Sequence, residues 1–160
     1  MPKMRKTWRQ KLEEDHPEHG KVVDVPPKMQ SRFGTGKMLI PRPLDINELI
    51  KKVPKGRLVT VVQIREKLAK VAHAHCSCPM TTGIFLRIVA EVAEEDLSKG
   101  KREVTPYWRV IKADGSLNEK FPGGVQIQAV RLKEEGHIIE PCRGKKPPRV
   151  KNFEKSLQEL

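Results

Sequence analysis

Two apolar-periodic stretches, TVVQIREKLAKV at residues 60–71 and TTGIFLRIVAEVAEEDL at residues 81–97, decide how this chain reads. In the first, Val61, Ile64, Leu68 and Val71 recur at helical spacing behind Thr60, whose hydroxyl suits a helix N-cap. In the second, Thr81 or Thr82 precedes a longer helix with Ile84, Phe85, Ile88, Val89 and Val92 on its buried side, ended by Ser98-Lys99-Gly100. A breaker-bearing segment, Ala72 to Pro79, separates the two. Val104 to Ile111 then reads as a strand and Ala113-Asp114-Gly115-Ser116 as a tight turn. Helix, turn, helix, strand and turn is the order of a winged helix-turn-helix, a mainly α domain with a small β wing. In that architecture the second helix enters a groove of the duplex and the strand turn meets phosphates. Arg87 is the natural candidate on its face, with Thr60, Met80, Thr81, Thr82, Ile84 and Lys112 completing the expected DNA-facing set. The competing reading is two helices that merely pack a small core.

Working outward, Asp45-x-x-Glu48 makes a capping box for a short helix through Ile50 and Lys52, stopped by Pro54-Lys55-Gly56. Leu58 to Val62 is a short β-branched run. On the other side, Val125 to Glu135 reads as a helix closed by Gly136 at the C′ position. No internal repeat is visible. The patterned part is residues 44–140; residues 1–43 and 141–160 are Pro-containing and weakly patterned, and read as basic arms outside the core.

The chain has 160 residues, enough for one ordinary domain with extensions. Its formal net charge is +12, which points to a polyanionic partner. Residues 1–43 hold 10 basic and 5 acidic groups, residues 44–140 hold 16 and 13, and residues 141–160 hold 6 and 2, so the excess sits mainly in the ends. Lys and Arg of residues 1–11 and 143–151, among them Arg143, Lys145 and Lys146, are therefore expected to supply non-specific affinity. Charged tails also serve solubility alone. No stretch approaches the roughly 18 to 20 apolar residues of a membrane span, so no membrane partner is expected. The basic residues of Met1 to Gln10 have no apolar segment behind them, and Cys76, Cys78 and Cys142 are too few for a disulfide framework. The expectation is a cytoplasmic monomer with free thiols.

The segment Thr105-Pro106-Tyr107-Trp108-Arg109-Val110-Ile111 is followed by Asp114-Gly115-Ser116-Leu117, Phe121-Pro122-Gly123-Gly124 and Leu132-Lys133-Glu134-Glu135-Gly136-His137. This order resembles the C-terminal domain of the O6-alkylguanine-DNA alkyltransferases: a Pro-Cys-His-Arg-Val core, a Gly turn, an aromatic residue before a Gly-Gly loop, and a Leu-rich helix ending in Glu-Gly. Val53 to Thr60 looks like the segment leading into that family's first DNA-binding helix, and Gly83 matches a glycine of the second. The resemblance covers about residues 50 to 140. It implies a pocket bounded by Pro106, Tyr107, Trp108, Arg109, Val110, Phe121, Gly123, Gly124 and Glu135, in which the family's cysteine attacks a flipped alkylguanine.

Here Tyr107 stands in the cysteine position and Trp108 in the histidine position. A phenol with a pKa of about 10 is a poor nucleophile at neutral pH, and an indole N–H only donates. No alkyl transfer, and hence no enzyme activity of that kind, is expected. The similarity is then to the alkyltransferase-like branch, which also lacks the cysteine, binds alkylated guanine and flags it for excision repair. The partners this implies are double-stranded DNA, alkylated duplex included, and repair proteins. Two other family devices are replaced: the nucleotide-rotating tyrosine aligns near Val61, and the arginine that fills the vacated stack aligns near Met80 or Thr81. Met80 or Ile84 would act there as an apolar wedge. Arg109 would contact a phosphate or hold the motif loop, the structural role being favoured, and Glu135 would be a helix-terminal carboxylate paired with Arg109 or Lys133.

Two other features compete. His73, His75, Cys76 and Cys78 put four soft-metal ligands in six residues, but closed zinc sites draw their ligands as two separated pairs; a turn carrying buried thiols is the alternative, and neither a metal nor a cofactor is assigned. A different function class also fits the charge. The fold would then serve as a protein or RNA interaction module without lesion recognition, with Trp8, Phe33 and Phe153 as docking residues.

Overall fold

Helix caps and buried stripes build the centre of the molecule. A computed structural model describes residues 5–141 and 144–160, so Lys3, Cys142 and Arg143 lie outside the described residues. In chain order the elements are α1 (Trp8–Glu13), β1 (Val22–Asp24), α2 (Gln30–Phe33), β2 (Lys37–Leu39), α3 (Pro43–Lys51), β3 (Val59–Thr60), α4 (Val61–Val71), β4 (Cys76–Ser77) and α5 (Pro79–Ser98). Then come β5 (Val110–Ile111), α6 (Gly124–Glu134), β6 (Ile139–Glu140) and β7 (Arg149–Val150). The result is a helical domain with a small β wing, as the sequence pattern predicts.

The α4–α5 pair forms as expected, with shifted ends. Thr60 accepts from Gln63 N while the Gln63 side chain accepts from Thr60 N, a reciprocal capping box. Ile64 and Leu68 are buried, whereas Val71 at the frayed end is exposed. Helix α5 starts at Pro79, not after Thr81 or Thr82. A proline at the first helical position has its φ already set and forfeits only an N–H that would be unpaired anyway. Likewise α3 starts at Pro43 with Arg42 as N-cap, so Asp45 is no cap but an acidic residue in the first turn. Phe85, Leu86, Ile88, Val89, Val92 and Ala93 of α5 pack with Ile46, Leu49 and Ile50 of α3 in the main core; each such fully buried side chain stabilises by roughly 1.5–3 kcal/mol.

Val104 to Ile111 is not one strand. Buried Pro106 leads into a 3-10 turn, Tyr107–Arg109, and only Val110–Ile111 is extended. These two residues pair parallel with Val59–Thr60, so β5 has no hairpin partner of its own. The turn after it closes through Lys112 N to Ser116 O at 2.9 Å, and Ser116 bridges to Arg149. The wing is thus completed from the C-terminal segment. Gly115 at its tip has φ +87° and is covered by the Phe153 ring, leaving no room for a Cβ.

Among the described residues, both ends of the chain contribute side chains to the core, which corrects their reading as arms outside it. Leu12, Val25, Met38 and Leu39 are buried, and β1–β2–β4 form a sheet with an antiparallel and a parallel pair. At the other end Val150 and Phe153 enter a second cluster with Leu58, Ile111, Leu117 and Leu132. Leu58 exchanges backbone bonds with Ser156 and Gln158, and Arg57 Nη2 donates to Leu157 O at 2.6 Å. Strands of two or three residues show no readable period, which is why these ends look unstructured in the sequence.

Candidate nucleic-acid interface

The residues expected to bound a pocket are packed into each other. Tyr107 is 0% exposed, and its hydroxyl donates to Glu94 of α5 at 2.6 Å. Arg131 of α6 holds the same carboxylate through two bonds of 2.9 and 2.8 Å. Phe121 and Trp108 meet the Tyr107 ring edge-on at 5.1 and 5.4 Å. Burial, and then the bond to Glu94, push the phenol well above its ordinary pKa. A neutral, enclosed phenol is neither nucleophile nor accessible stacking surface, so the expected pocket at Tyr107 is corrected to a filled one.

Below it, Glu135 accepts from Arg109 Nε at 2.8 Å, Arg109 Nη2 at 2.7 Å and Trp108 Nε1 at 3.1 Å. Burial alone would raise this carboxyl; the bonds from Arg109 and Trp108 outweigh that and hold it below its usual range. Arg109 Nη1 also donates to Val53 O at 2.6 Å, tying this turn to the loop before β3. Of the two partners expected for Glu135, Arg109 and Lys133, the structure selects Arg109. Sequence reasoning missed Gln128, which is fully buried and donates to Trp108 O and Val110 O while accepting from Asn118 N. It also missed Glu94 and Arg131; nothing in a helix pattern singles out which polar residue will meet a distant tyrosine. Gly123, at φ +75° in the N-cap of α6, abuts Ile127, whereas a Cβ on Gly124 would touch little.

The open site lies elsewhere. A groove of about 1160 Å³ runs between α1, the first turns of α4, the N-terminal half of α5 and the 112–120 turn. Met80 is 64% and Ile84 56% exposed along it; for Ile84 this corrects the expectation of a buried position. Arg87 and Lys112 line the groove as well. Thr60 and Thr82 do not, being buried, with Thr60 capping α4 and Thr82 Oγ1 donating to Cys78 O at 2.8 Å. Thr81 donates to Cys78 Sγ at 3.2 Å. Lys145 and Lys146 are exposed beside β7 and are not part of the groove wall. The further cations of the groove are Lys6 and Lys11, from the basic stretch 1–11 expected to supply affinity, and Arg32, Arg65 and Lys120, unassigned from sequence; its carboxylates, Glu14 and Glu119, are already paired with Lys6 and Lys112.

The groove is thus floored by apolar side chains on the second helix of a helix-turn-helix, walled by excess cations and next to a wing. The S. pombe ATL structure in complex with DNA superposes with a TM-score of 0.50, at 18% identity over 74% of this chain and 94% of that one. The two chains share a fold. S. pombe Atl1 in complex with damaged DNA containing O6-carboxymethylguanine gives a TM-score of 0.47 with the same identity and coverage. No protein-family model matches the chain, and no curated protein sequence matches it.

The His73–Cys78 stretch makes structural contacts. Lys37 N donates to His75 Nδ1 at 2.9 Å, Cys78 caps α5, and burial raises the Cys76 thiol. Among the described residues no three His, Cys, Asp or Glu side chains converge as a metal set. Of the proposed docking residues, Phe153 is buried, Phe33 is half-buried and Trp8 lines the groove. No helix of the described residues is long and apolar enough to cross a membrane.

Proposed function

We propose that this protein is a non-enzymatic, cytoplasmic binder of double-stranded DNA acting in repair, and that it seats DNA in the groove on α5. The observation that carries this reading is the coincidence of exposed Met80, Ile84 and Arg87 with a wall of cations on the second helix of the motif. Phosphates meet the cations, and an apolar pair at the start of a helix is the side-chain type that wedges between base steps. The fold supports it, since a neighbour of similar architecture is a DNA complex. Alkyl transfer is not part of the proposal: Tyr107 is enclosed, its pKa is raised, and no thiol stands there. Recognition of an alkylated or flipped guanine is proposed only through the open groove, because Tyr107 and Phe121 fill the position beside the motif.

The test is fluorescence anisotropy of a labelled duplex with a central guanine or O6-methylguanine at two salt concentrations. Expected is salt-sensitive binding, with Arg87→Gln lowering the slope of log affinity against log salt by about 0.9. Tenfold tighter binding of the modified duplex, roughly 1.4 kcal/mol, identifies a lesion sensor. Equal binding retains a duplex binder without lesion reading. No duplex binding, or structured RNA competing better than duplex, overturns the proposal in favour of an interaction module.

A further inference from the structure

The β1–β2–β4 sheet collects sulfur on one of its faces. In the parallel β2–β4 pair Met38 stands beside Cys76 and Leu39 beside Ser77, and just past the strand Cys78 N donates to Leu39 O at 2.9 Å. Side chains alternate along a strand, so Met38, Cys76 and Cys78 share one side while Leu39 and Ser77 take the other. The packing agrees. Met38 and Cys78 are buried in one cluster with Val25, and Cys76, Met29 and Phe33 pack against it, whereas Leu39 belongs to the main core. His75 is committed elsewhere, its Nδ1 accepting from Lys37 N at 2.9 Å. The fold thus divides the run His73–Cys78 into an imidazole that serves the backbone and two thiols that share a face with a thioether.

Two thiols and a thioether in an apolar enclosure are the donor set of a soft monovalent cation. Thiolate and thioether sulfur select Cu(I), which does not need the closed tetrahedron of Cys, His or carboxylate ligands that structural Zn(II) requires. Among the described residues no such tetrahedron is on offer, since no three His, Cys, Asp or Glu side chains converge. We propose that Met38, Cys76 and Cys78 form a Cu(I)-binding site on this face of the sheet, with Arg65 balancing its charge. Binding breaks both S–H bonds and forms two S–Cu bonds; the protons pass to solvent, the oxidation state of the metal is unchanged, and one net negative charge remains. The half-buried Arg65 guanidinium, near enough to feel the charge of both cysteine sulfurs, offsets it. Cys76 is half-buried where Met38 and Cys78 are buried, and so provides the way in from solvent. None of the three sulfur ligands lines the groove on α5, and the site stands independently of the DNA-binding reading.

The experiment titrates the reduced full chain with Cu(I) in competition with bicinchoninate, without oxygen, and follows the thiolate-to-copper charge-transfer absorbance. Expected is transfer of one Cu(I) per chain from the chelator. Removing an outer partner of a metal costs roughly 10–100-fold in affinity, and losing a ligand costs more, so Cys76→Ser and Cys78→Ser each weaken binding by more than about 100-fold. Met38→Leu, close in volume, weakens it by about tenfold. His75→Gln, and Cys142→Ser outside the described residues, leave affinity within about twofold, which separates this site from the contiguous His–Cys run and from the remaining thiol. X-ray absorption of the copper-loaded wild type shows sulfur neighbours without nitrogen, a readout that no folding defect of a variant affects. No transfer from the chelator, nitrogen neighbours at the metal, unchanged affinity in Cys76→Ser, or loss of binding in a His75→Gln or Cys142→Ser protein that still melts cooperatively overturns the assignment.

Discussion

Replacing Glu135 by Gln removes a charge from the most enclosed ion pair among the described residues. The side chains of Arg109 and Glu135 are 13% and 8% exposed, and the carboxylate accepts three hydrogen bonds, two of them from one guanidinium. Breaking a buried pair from one side leaves the other charge uncompensated and costs about 3–5 kcal/mol. The amide oxygen of Gln still accepts one bond, which places the expected loss near the lower end, about 3 kcal/mol. For a domain of this size that corresponds to a fall in Tm of roughly 6–12 °C. The pH dependence follows the same pair. Burial raises the Glu135 carboxyl, but the bonds and charge of Arg109 outweigh it, so the folded pKa lies below the unfolded one. The contribution is therefore fully present above the unfolded pKa of about 4.3 and is lost as pH falls through the lower folded pKa. Urea unfolding of wild type and Glu135→Gln between pH 3 and pH 7 measures both. The difference is expected to be largest at neutral pH and to shrink in acid. A loss under 1 kcal/mol at pH 7, or a difference that does not change with pH, refutes the structural role assigned to this carboxylate.

Two further outcomes follow from the filled pocket and its supporting loop. Tyr107→Phe leaves Glu94 paired with Arg131 but removes a buried bond to a charged acceptor, so stability falls by about 1.5–3 kcal/mol in urea unfolding; an unchanged midpoint would mean the Tyr107 hydroxyl is not engaged. Gly123→Ala places a methyl group against Ile127 in a left-handed conformation, costing about 1–2 kcal/mol from backbone alone; differential scanning calorimetry showing no drop in Tm would contradict that geometry.

The sequence by itself determined what depends on neighbours within one helical turn. The Thr60 cap, the buried stripe of α5 apart from exposed Ile84, and the αL glycine ending α6 are each written in residues a few positions apart and stand where the pattern puts them. The motif order from Thr105 to Gly136 also pointed to the fold, through its resemblance to the alkyltransferase C-terminal domain. Helix starts shifted to Pro43 and Pro79, where a proline competes with a polar cap for the same first turn.

Only the tertiary structure decided what the site is made of. The partner of Tyr107 is 13 residues away, that of Arg109 is 26 residues away, and Arg57 reaches the carbonyl of a residue 100 positions on. Such pairings have no local signature, since any exposed Glu or Arg on a helix looks alike in sequence. The same holds for the two ends, whose sparse apolar residues became core once short strands from distant parts of the chain gave their backbone groups partners. With the motif pocket closed by Tyr107 and Phe121, the open surface passed to the groove beside α5, where packing of α1 set Trp8. That outcome is a matter of volume and burial, which local spacing does not encode.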